Sequence, residues 1–180
     1  MKSHIFAEAS NITAEDPDQP VKKYYQGLFG MVASLHDELA ELTEAHLHVL
    51  SEEYGLAKGV ESMSSVYEDK QQHVGEDEMA KQARAELIDA AADGDVVVVL
   101  LSTETFQNTV EEVWNELVEV AKPESICCLG AARSSLEGLN FDELEAKGCT
   151  VLTYVRVGVA RIGTETREEL LEAVKQKASK

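Results

Sequence analysis

The chain has 180 residues, and its 34 acidic side chains against 16 Lys and Arg give a formal net charge of −18. This length suits one domain with a sizeable core, and no run of 18 apolar residues exists that could cross a membrane. No basic cluster is present to neutralise phosphates, which disfavours duplex nucleic acid as a partner.

The acidic residues are spread along the whole chain, which is typical of a solvated surface and not of one binding patch. Such an excess is expected in a salt-rich, halophilic cytosol, where screening removes the self-repulsion of an acidic protein. The N-terminal segment has no long apolar core and no clear cleavage site, so a cytoplasmic location is predicted. Three cysteines without metal-ligand spacing indicate reduced thiols, which agrees with that location.

The first half of the chain alternates between strand and helix patterns. A short strand is predicted over residues 4–9 and a second over 47–50. Between them, apolar residues recur every three or four positions, which predicts an amphipathic helix over 21–43. Residues 57–75 are predicted to form a long loop, and a helix follows over 76–92.

The second half continues the alternation and contains the clearest strand of the chain. The segment DVVVVLLS, residues 95–102, is apolar and β-branched, which is typical of a strand buried on both faces of a parallel sheet. The elements predicted after it are a helix over 104–121, a strand over 125–130, a short helix over 141–147, a strand over 149–155 and a helix over 164–178.

This alternation predicts a single α/β domain over residues 1–180, with a mainly parallel sheet of about five strands and helices on both faces. The expected architecture is three-layered and Rossmann-like or flavodoxin-like. In open α/β sheets, ligands bind beyond the carboxyl ends of the strands. The segments in which the predicted strands end are therefore the places where a site is expected.

Five strand exits follow from this prediction: EASNIT, LSEEYGL, LSTETFQNT, LGAARSS and YVRVG, in chain order. The candidate ligand-binding residues in the first four exits are Ser10, Asn11, Ser51, Tyr54, Gly55, Ser102, Thr103 and Arg133. Serine and threonine are also the preferred N-caps of helices, so capping is the alternative role of each hydroxyl. An arginine at a strand exit can grip a carboxylate or phosphate, and a structural salt bridge is its alternative.

Two adjacent carboxylates, Glu52 and Glu53, are the candidate catalytic acid or base, provided that partial burial raises the pKa of one of them. Tyr54 would stack on a ligand or hydrogen-bond to it, and Gly55 would allow its close approach to the backbone. The chain contains no GxGxxG, no P-loop lysine motif and no GxSxG elbow. No cofactor is therefore indicated, and whether the protein is catalytic stays open.

Histidines and cysteines supply two further constellations. His46 and His48 alternate on the second strand and so share a face, as a metal pair would, but no third ligand is implied and no metal site is predicted. Cys127 and Cys128 lie inside the fourth predicted strand, where small core residues are expected.

The segment LHVLSEEYGL resembles the L-S-x-x-Y-G-L signature of a small α/β family that is related in pattern to the YaaA-type peroxide-stress proteins. Upstream, QPVKKYYQGLFGMVASLHDEL supplies the proline, tyrosine, glycine, leucine and phenylalanine of that family in the same order, as Pro20, Tyr25, Gly27, Leu28 and Phe29. Downstream, VYEDK places Tyr67 and Asp69 where the family carries an acidic turn with a tyrosine. The resemblance covers about residues 4–70.

This sequence also departs from the family pattern. The first strand of relatives ends in a Cys-Ser…Lys segment, whereas EASNIT keeps Ser10 and has neither the cysteine nor the lysine. The resemblance implies a nucleobase-like or nucleoside ligand, since similar domains occur near the modification of nucleobases. The missing Cys and Lys imply that this chain binds without reacting, or reacts differently.

Two functions from different classes are consistent with these patterns. The first is the binding of a small polar or anionic ligand, nucleotide-like or nucleobase-like, at the carboxyl ends of the strands. The alternative is a non-catalytic module of a halophile that forms homo-oligomers or docks a protein partner. A ligand-binding protein should have a pocket where the strand exits converge, whereas an assembly module should have an apolar patch elsewhere.

Overall fold

The computed structural model describes residues 1–156 and 162–179, and the strands within these ranges form one sheet of six. The strands are β1 (Lys2–Glu8), β2 (Glu44–Ser51), β3 (Gly55–Lys58), β4 (Val96–Leu100), β5 (Ile126–Ala131) and β6 (Thr150–Val155). The α-helices are α1 (Val21–Tyr24), α2 (Phe29–Ala40), α3 (Met63–Asp69), α4 (Glu76–Asp93), α5 (Thr103–Phe106), α6 (Trp114–Val120), α7 (Arg133–Glu137), α8 (Asp142–Ala146) and α9 (Thr164–Ala178). None of these helices is both long enough and apolar enough to span a membrane.

The sheet has the strand order β3-β2-β1-β4-β5-β6 and is parallel except at β3. The apolar run Val96–Leu100 pairs with β1 on one side and β5 on the other, so this strand lies inside the sheet. An interior strand buries both faces, which explains why its sequence does not alternate with polar residues. The predicted α/β class and the mainly parallel sheet are confirmed.

Alternate side chains of the strands enter two apolar clusters, one on each face of the sheet. Ile5 and Val49 share a cluster with residues of α2 and α9, and we call this side the α2 face. Phe6 and Leu50 share the other cluster with residues of α4 and α6, and we call this side the α4 face.

The predicted loop over 57–75 is wrong, because this part of the chain contains the second half of β3 and all of α3. β3 pairs antiparallel with the end of β2, and Ser51 faces Gly55 in the register of this hairpin. A four-residue strand is too short for a periodic sequence signal, and its partner strand supplies its hydrogen bonds. The sheet therefore has six strands where the sequence indicated about five.

The predicted single helix over 21–43 is interrupted between Tyr24 and Phe29. Gly27 in this interruption has a φ of 68°, a left-handed conformation that glycine adopts at little cost. Tyr25 forms an isolated antiparallel bridge with Thr13, so the chain before α1 holds the break in place. The apolar stripe continues across the break, which is why the pattern indicated one helix.

Two smaller differences concern the later helices. The predicted helix over 104–121 is divided into α5, a π-helical segment (Gln107–Glu111) and α6. Helix α7 follows β5 almost directly, within the segment that was predicted only as a strand exit. A helix of five residues carries too little periodicity to be recognised from sequence.

Candidate functional site

The path of the chain opens a crevice at the carboxyl ends of β1 and β4. After β1 the chain runs to β2 on one side of it, and it later returns to β4 on the other side. Residues of α2, which follows β1, pack on the α2 face, whereas residues of α6, which follows β4, pack on the α4 face. Connections that diverge in this way leave space between the two strand exits, where ligands of open α/β sheets bind.

A cavity of about 390 Å³, which we call the cleft, occupies this position. Its lining is Ala7, Glu8, Ala9, Ser10, Asn11, Ile12, Leu28, Phe29, Val32, Ser102 and Arg156. The apolar side chains come from the segment after β1 and from the start of α2, and Ile12 and Leu28 are 60% and 49% exposed at its rim. The volume lies within the usual range of small-molecule sites.

A second cavity of about 330 Å³, which we call the second lobe, adjoins the cleft around the segment from Glu8 to Asn11. Glu8, Ala9, Ser10 and Asn11 line both cavities. The rest of the second lobe consists of Tyr25, Leu50, Ser51, Glu52, Glu53, Met79 and Thr105. Six residues predicted at three separate strand exits therefore lie around these two cavities: Ser10, Asn11, Ser51, Glu52, Glu53 and Ser102.

Glu8 is the last residue of β1, and its carboxylate faces the exit of the neighbouring strand β4. Its Oε1 accepts a hydrogen bond of 2.5 Å from the backbone N–H of Ser102. A backbone N–H at this exit is the kind of donor that could hold an anion, and here a carboxylate of the protein already takes it. Glu8 was not singled out from the sequence, because a single acidic residue at the end of a strand is not distinctive.

The predicted serine side chains make local hydrogen bonds beside the cavities. Ser10 Oγ accepts a hydrogen bond from the Ile12 N–H at 3.1 Å and donates one to the Gln26 carbonyl at 3.0 Å. Ser51 Oγ accepts a hydrogen bond of 3.1 Å from the backbone N–H of Glu53. These contacts organise the turns, which is the structural role that hydroxyl side chains take in such segments.

Ser102 follows the same pattern at the start of α5. Its hydroxyl donates to Oγ1 of Thr105 at 3.1 Å, while its backbone N–H is held by Glu8. Thr103 accepts a hydrogen bond of 2.9 Å from Nη2 of Arg156. Both residues of this predicted pair are therefore connected to charged side chains of the cleft.

Arg156, and not Arg133, is the arginine that lines the cleft. Its backbone N–H donates to the Ala131 carbonyl at 2.9 Å, which continues the pairing of β5 and β6 to the carboxyl edge of the sheet. Arg133 is exposed at the first position of α7 and is not part of the cleft lining. The YVRVG exit contained Arg156, but nothing in its spacing distinguished it from Arg133, and residues 157–158 of that exit lie outside the described residues.

Tyr54 and Gly55 serve the packing of the core. Tyr54 is only 2% exposed, and its hydroxyl hydrogen-bonds to the hydroxyl of Tyr25 at 2.8 Å, so its ring has no open face for a ligand. Burial raises the pKa of Tyr54 above its ordinary value, because the phenolate would be desolvated. Gly55 has a φ of 90°, and a Cβ at this position would collide with the side chain of Gln82. The close approach that Gly55 permits is therefore that of α4.

The two candidate acid or base residues belong to the turn between β2 and β3. The carbonyl oxygens of Glu52 and Glu53 accept hydrogen bonds from the N–H groups of Gly75 and Val74, at 2.8 and 3.2 Å. The carboxylate of Glu53 lies 3.0 Å from Nδ1 of the exposed His73. These contacts connect the LSEEYGL turn to the start of α4, beside the second lobe.

The described residues contain no group of three or more His, Cys, Asp or Glu side chains arranged to hold a metal ion. His48, one of the pair noted in the sequence, hydrogen-bonds through Nε2 to Nδ1 of His4 at 3.0 Å. Cys127 and Cys128 are free thiols within β5. Burial raises the pKa of Cys127 to about 12, so it is a thiol and not a nucleophilic thiolate at neutral pH.

Comparison with protein-family models, with curated proteins and with solved structures gave no match for this chain. Its function is therefore inferred from the cleft and the chemistry of the residues around it.

Proposed function

We propose that the protein binds a small polar ligand of nucleoside or nucleobase type in the cleft at the carboxyl ends of β1 and β4. The observation that carries this proposal is the lining of the cleft. It combines an apolar wall, formed by Ile12 and Leu28, with two charged side chains, Glu8 and Arg156. The cavity is large enough for a small molecule, and it lies where open α/β sheets bind their ligands.

The two charged side chains have complementary hydrogen-bonding capacity. An ionised carboxylate such as that of Glu8 only accepts hydrogen bonds, whereas the guanidinium of Arg156 only donates them. A nucleobase carries both N–H donors and carbonyl or ring-nitrogen acceptors along its edge, and its two faces are flat and suited to an apolar wall. Such a ligand would match the cleft on each of these counts.

The charge balance favours a neutral nucleoside over a free phosphate. Among the described residues, three carboxylates, Glu8, Glu52 and Glu53, line the two cavities, against one arginine, Arg156. In addition, the backbone N–H of Ser102 already donates to Glu8. A phosphate at this exit would meet a carboxylate at short range, which is electrostatically unfavourable.

We also propose a three-layer, Rossmann-like architecture and a relationship to the YaaA-type family. The strand order and the apolar clusters on both faces support the architecture. The hydrogen bond between Tyr25 and Tyr54 supports the relationship, because each tyrosine belongs to one of the two sequence stretches that resemble the family. In this interpretation the shared motif marks a packed structural unit beside the second lobe, and its tyrosine does not contact the ligand.

Calorimetric titration with guanosine, adenosine, cytidine and uridine, and with inorganic phosphate, tests the ligand proposal. We expect at least one nucleoside to bind and phosphate not to compete with it. Glu8→Gln and Arg156→Lys should each weaken that binding by about tenfold or more, as expected for the loss of a charged hydrogen-bonding partner. Glu8→Gln keeps an oxygen that can accept from Ser102, so the exit of β4 is preserved.

Arg133→Lys is the matched control, because it makes the same change at an arginine that does not line the cleft. Its affinity should equal that of the unmodified protein. Equal losses for the two arginine variants would contradict the assignment of the cleft, and the absence of binding by all four nucleosides at millimolar concentration would leave the assembly module as the better hypothesis.

The acidic composition carries a further proposal, that the protein works in a salt-rich cytoplasm. Screening of the net charge of −18 should stabilise the compact state. The midpoint of thermal unfolding should therefore rise by several degrees between 0.1 M and 2 M KCl, measured by circular dichroism. A midpoint that falls or stays constant would contradict a salt-adapted origin.

A further inference from the structure

Three histidine rings stack under α4, away from the cleft. His4 of β1 lies between His46 and His48 of β2, with ring-centroid distances of 5.1 and 5.2 Å. Phe6 continues the stack at 4.5 Å from His48. The side chains of His4 and His48 are 8% and 2% exposed, so two titratable rings are held almost dry between the sheet and α4.

These rings belong to a chain of polar atoms that begins and ends on α4. Asp93 Oδ2 lies 3.1 Å from Nε2 of His4, and Nδ1 of His4 lies 3.0 Å from Nε2 of His48. The next nitrogen, Nδ1 of His48, is buried and has no hydrogen-bond partner among the described residues. The carboxylate oxygen Oε1 of Glu86 lies 3.7 Å from it.

The direction of the hydrogen bonds follows from the end at Asp93. A carboxylate can only accept, so Nε2 of His4 must carry the hydrogen. In neutral His4 the other nitrogen, Nδ1, is then a lone pair, which accepts the N–H of Nε2 from His48. Neutral His48 is left with a lone pair on Nδ1, and this lone pair faces the carboxylate of Glu86.

The opposite direction is less favourable. If Nδ1 of His4 donated to His48, the lone pair of His4 Nε2 would face the Asp93 carboxylate at 3.1 Å. The distances therefore favour donation to Asp93 and place the two facing acceptors at the other end, 3.7 Å apart. When both histidines are neutral, no hydrogen is available for a hydrogen bond between Nδ1 of His48 and the carboxylate of Glu86.

We propose that the His4–His48 pair is a binding site for a single proton, which bonds to Nδ1 of His48 and draws the carboxylate of Glu86 onto the sheet. The proton comes from solvent past Glu86, whose side chain is 33% exposed. Glu86 remains ionised and accepts the new N–H, while the existing bonds to His4 and Asp93 keep their direction. A second proton does not bind, because it would place an N–H on Nδ1 of His4 directly opposite the N–H on Nε2 of His48.

The charges around the stack decide when the proton binds. From β3, Lys58 is paired directly opposite His48, and on β2 His46 adds to the positive potential if it is protonated. Glu44 lies 3.5 Å from His46 at the far end of the stack. Among the described residues, the carboxylate that faces the open nitrogen of His48 is that of Glu86, at 3.7 Å.

Burial is the largest cause of the low proton affinity of this pair, and it lowers the pKa of His48 to about 3 in the present geometry. Burial also lowers the pKa of His4, against the hydrogen bond to Asp93, which itself lies 3.2 Å from Lys2. The site is therefore vacant at neutral pH and fills on acidification, when the approach of Glu86 offsets part of the desolvation.

Helix α4 connects this proton site to the second lobe. Both carboxylates, Glu86 and Asp93, belong to α4, and the same helix brings Met79 to the second lobe. A pH-dependent contact between Glu86 and β2 therefore acts on an element that borders the candidate ligand site. The proton site itself does not depend on what the cleft binds.

Nuclear magnetic resonance titration of the imidazole signals in the full chain tests the inference directly. We expect the signals of His4 and His48 to change together in one step, below the ordinary histidine value of about 6.5. Two separate steps near 6.5 would overturn the shared site. So would rings that stay neutral until the chain unfolds in acid.

Glu86→Gln is the decisive variant, because its amide N–H can donate to Nδ1 of His48 and complete the chain of hydrogen bonds without a proton. We expect the midpoint of the shared step to fall by one pH unit or more, which is a tenfold weaker affinity for the proton. Asp89→Asn removes one negative charge from the exposed side of α4 and should leave the midpoint unchanged. Equal shifts in both variants, or no shift in Glu86→Gln, would overturn the role of Glu86.

Glu86→Ala provides the same information if the glutamine variant does not fold. It removes the counter-ion without supplying a donor, so the midpoint should also fall. A midpoint that is unchanged or higher in the alanine variant would exclude Glu86 as the counter-ion.

Discussion

Two buried polar pairs lie in the two apolar layers of the sheet, and they differ in how well they are satisfied. In the cluster of the α2 face, the hydroxyls of Tyr25 and Tyr54 hydrogen-bond to each other at 2.8 Å. Under α4, His4 and His48 are joined at 3.0 Å, but one nitrogen of His48 has no partner among the described residues.

The difference follows from the chemistry of the two side chains. A hydroxyl hydrogen rotates to suit its surroundings, and the oxygen can accept and donate at once. The nitrogens of an imidazole have fixed directions, and in the neutral ring one of them is a donor and the other an acceptor. A pair of tyrosines adjusts to the core, whereas a chain of histidines between two carboxylates cannot be satisfied in the neutral state.

The two pairs should also limit stability at opposite ends of the pH scale. Burial raises the pKa of Tyr54 above 10, so the unfolded chain loses that proton first and stability falls as the pH rises above about 10. Burial lowers the pKa of His48 below 6.5, so the unfolded chain gains that proton first and stability falls as the pH drops below about 6.5.

The largest effect is expected from truncation of the tyrosine pair. Tyr54→Ala should lower the free energy of unfolding by about 3–5 kcal/mol, because it opens a cavity in the core and leaves the hydroxyl of Tyr25 without this partner. Tyr54→Phe keeps the ring and should cost only about 1–2 kcal/mol. Urea unfolding at neutral pH measures both variants.

If Tyr54→Ala left the free energy of unfolding almost unchanged, the ring would not stabilise the core. The contrast with the histidine pair would then be lost. A Tyr54→Phe variant as unstable as Tyr54→Ala would mean that the hydroxyl contributes more than the ring.

A smaller effect is expected from acid on the histidine pair. Between pH 6.5 and pH 5, His48 alone should reduce the free energy of unfolding by roughly 2 kcal/mol or less, because the unfolded chain binds this proton at a higher pH than the folded chain does. His48→Phe removes the titrating ring and keeps an aromatic side chain next to Phe6, so its stability should vary less over this range. Urea unfolding in a series of buffers provides the comparison.

Tyr54→Phe is the matched variant here as well, since it should keep the full acid dependence of the unmodified protein. If His48→Phe and Tyr54→Phe lose stability equally between pH 6.5 and pH 5, other groups cause the acid dependence and the histidine pair is not its source.

The parts of the fold that could be predicted are those with strong local periodicity. The run Val96–Leu100 indicated a strand buried on both faces, and it lies inside the sheet. The helix predicted over 76–92 is α4 (Glu76–Asp93), and both of its ends agree to within one residue. In contrast, β3 has four residues and is held by its pairing with β2, which no local pattern reveals.

The candidate site divides in the same way. The rule that ligands bind at strand exits directed attention to Ser10, Asn11 and Ser102, and the structure places all three around the cleft. Tyr54 belonged to the most distinctive motif of the chain, yet it lies in the core against Tyr25. A sequence motif does not distinguish a residue that packs in the core from a residue that contacts a ligand.

The sequence by itself determined the α/β class, the mainly parallel sheet and the edge of the sheet at which a site should be sought, because these depend on periodicity within single elements. Only the tertiary structure decided that Arg156 and not Arg133 lines the cleft, and that His4 meets His48 under α4. Both outcomes depend on the order of the strands in the sheet. That order is set by packing between elements far apart in the chain, and no local pattern of residues encodes it.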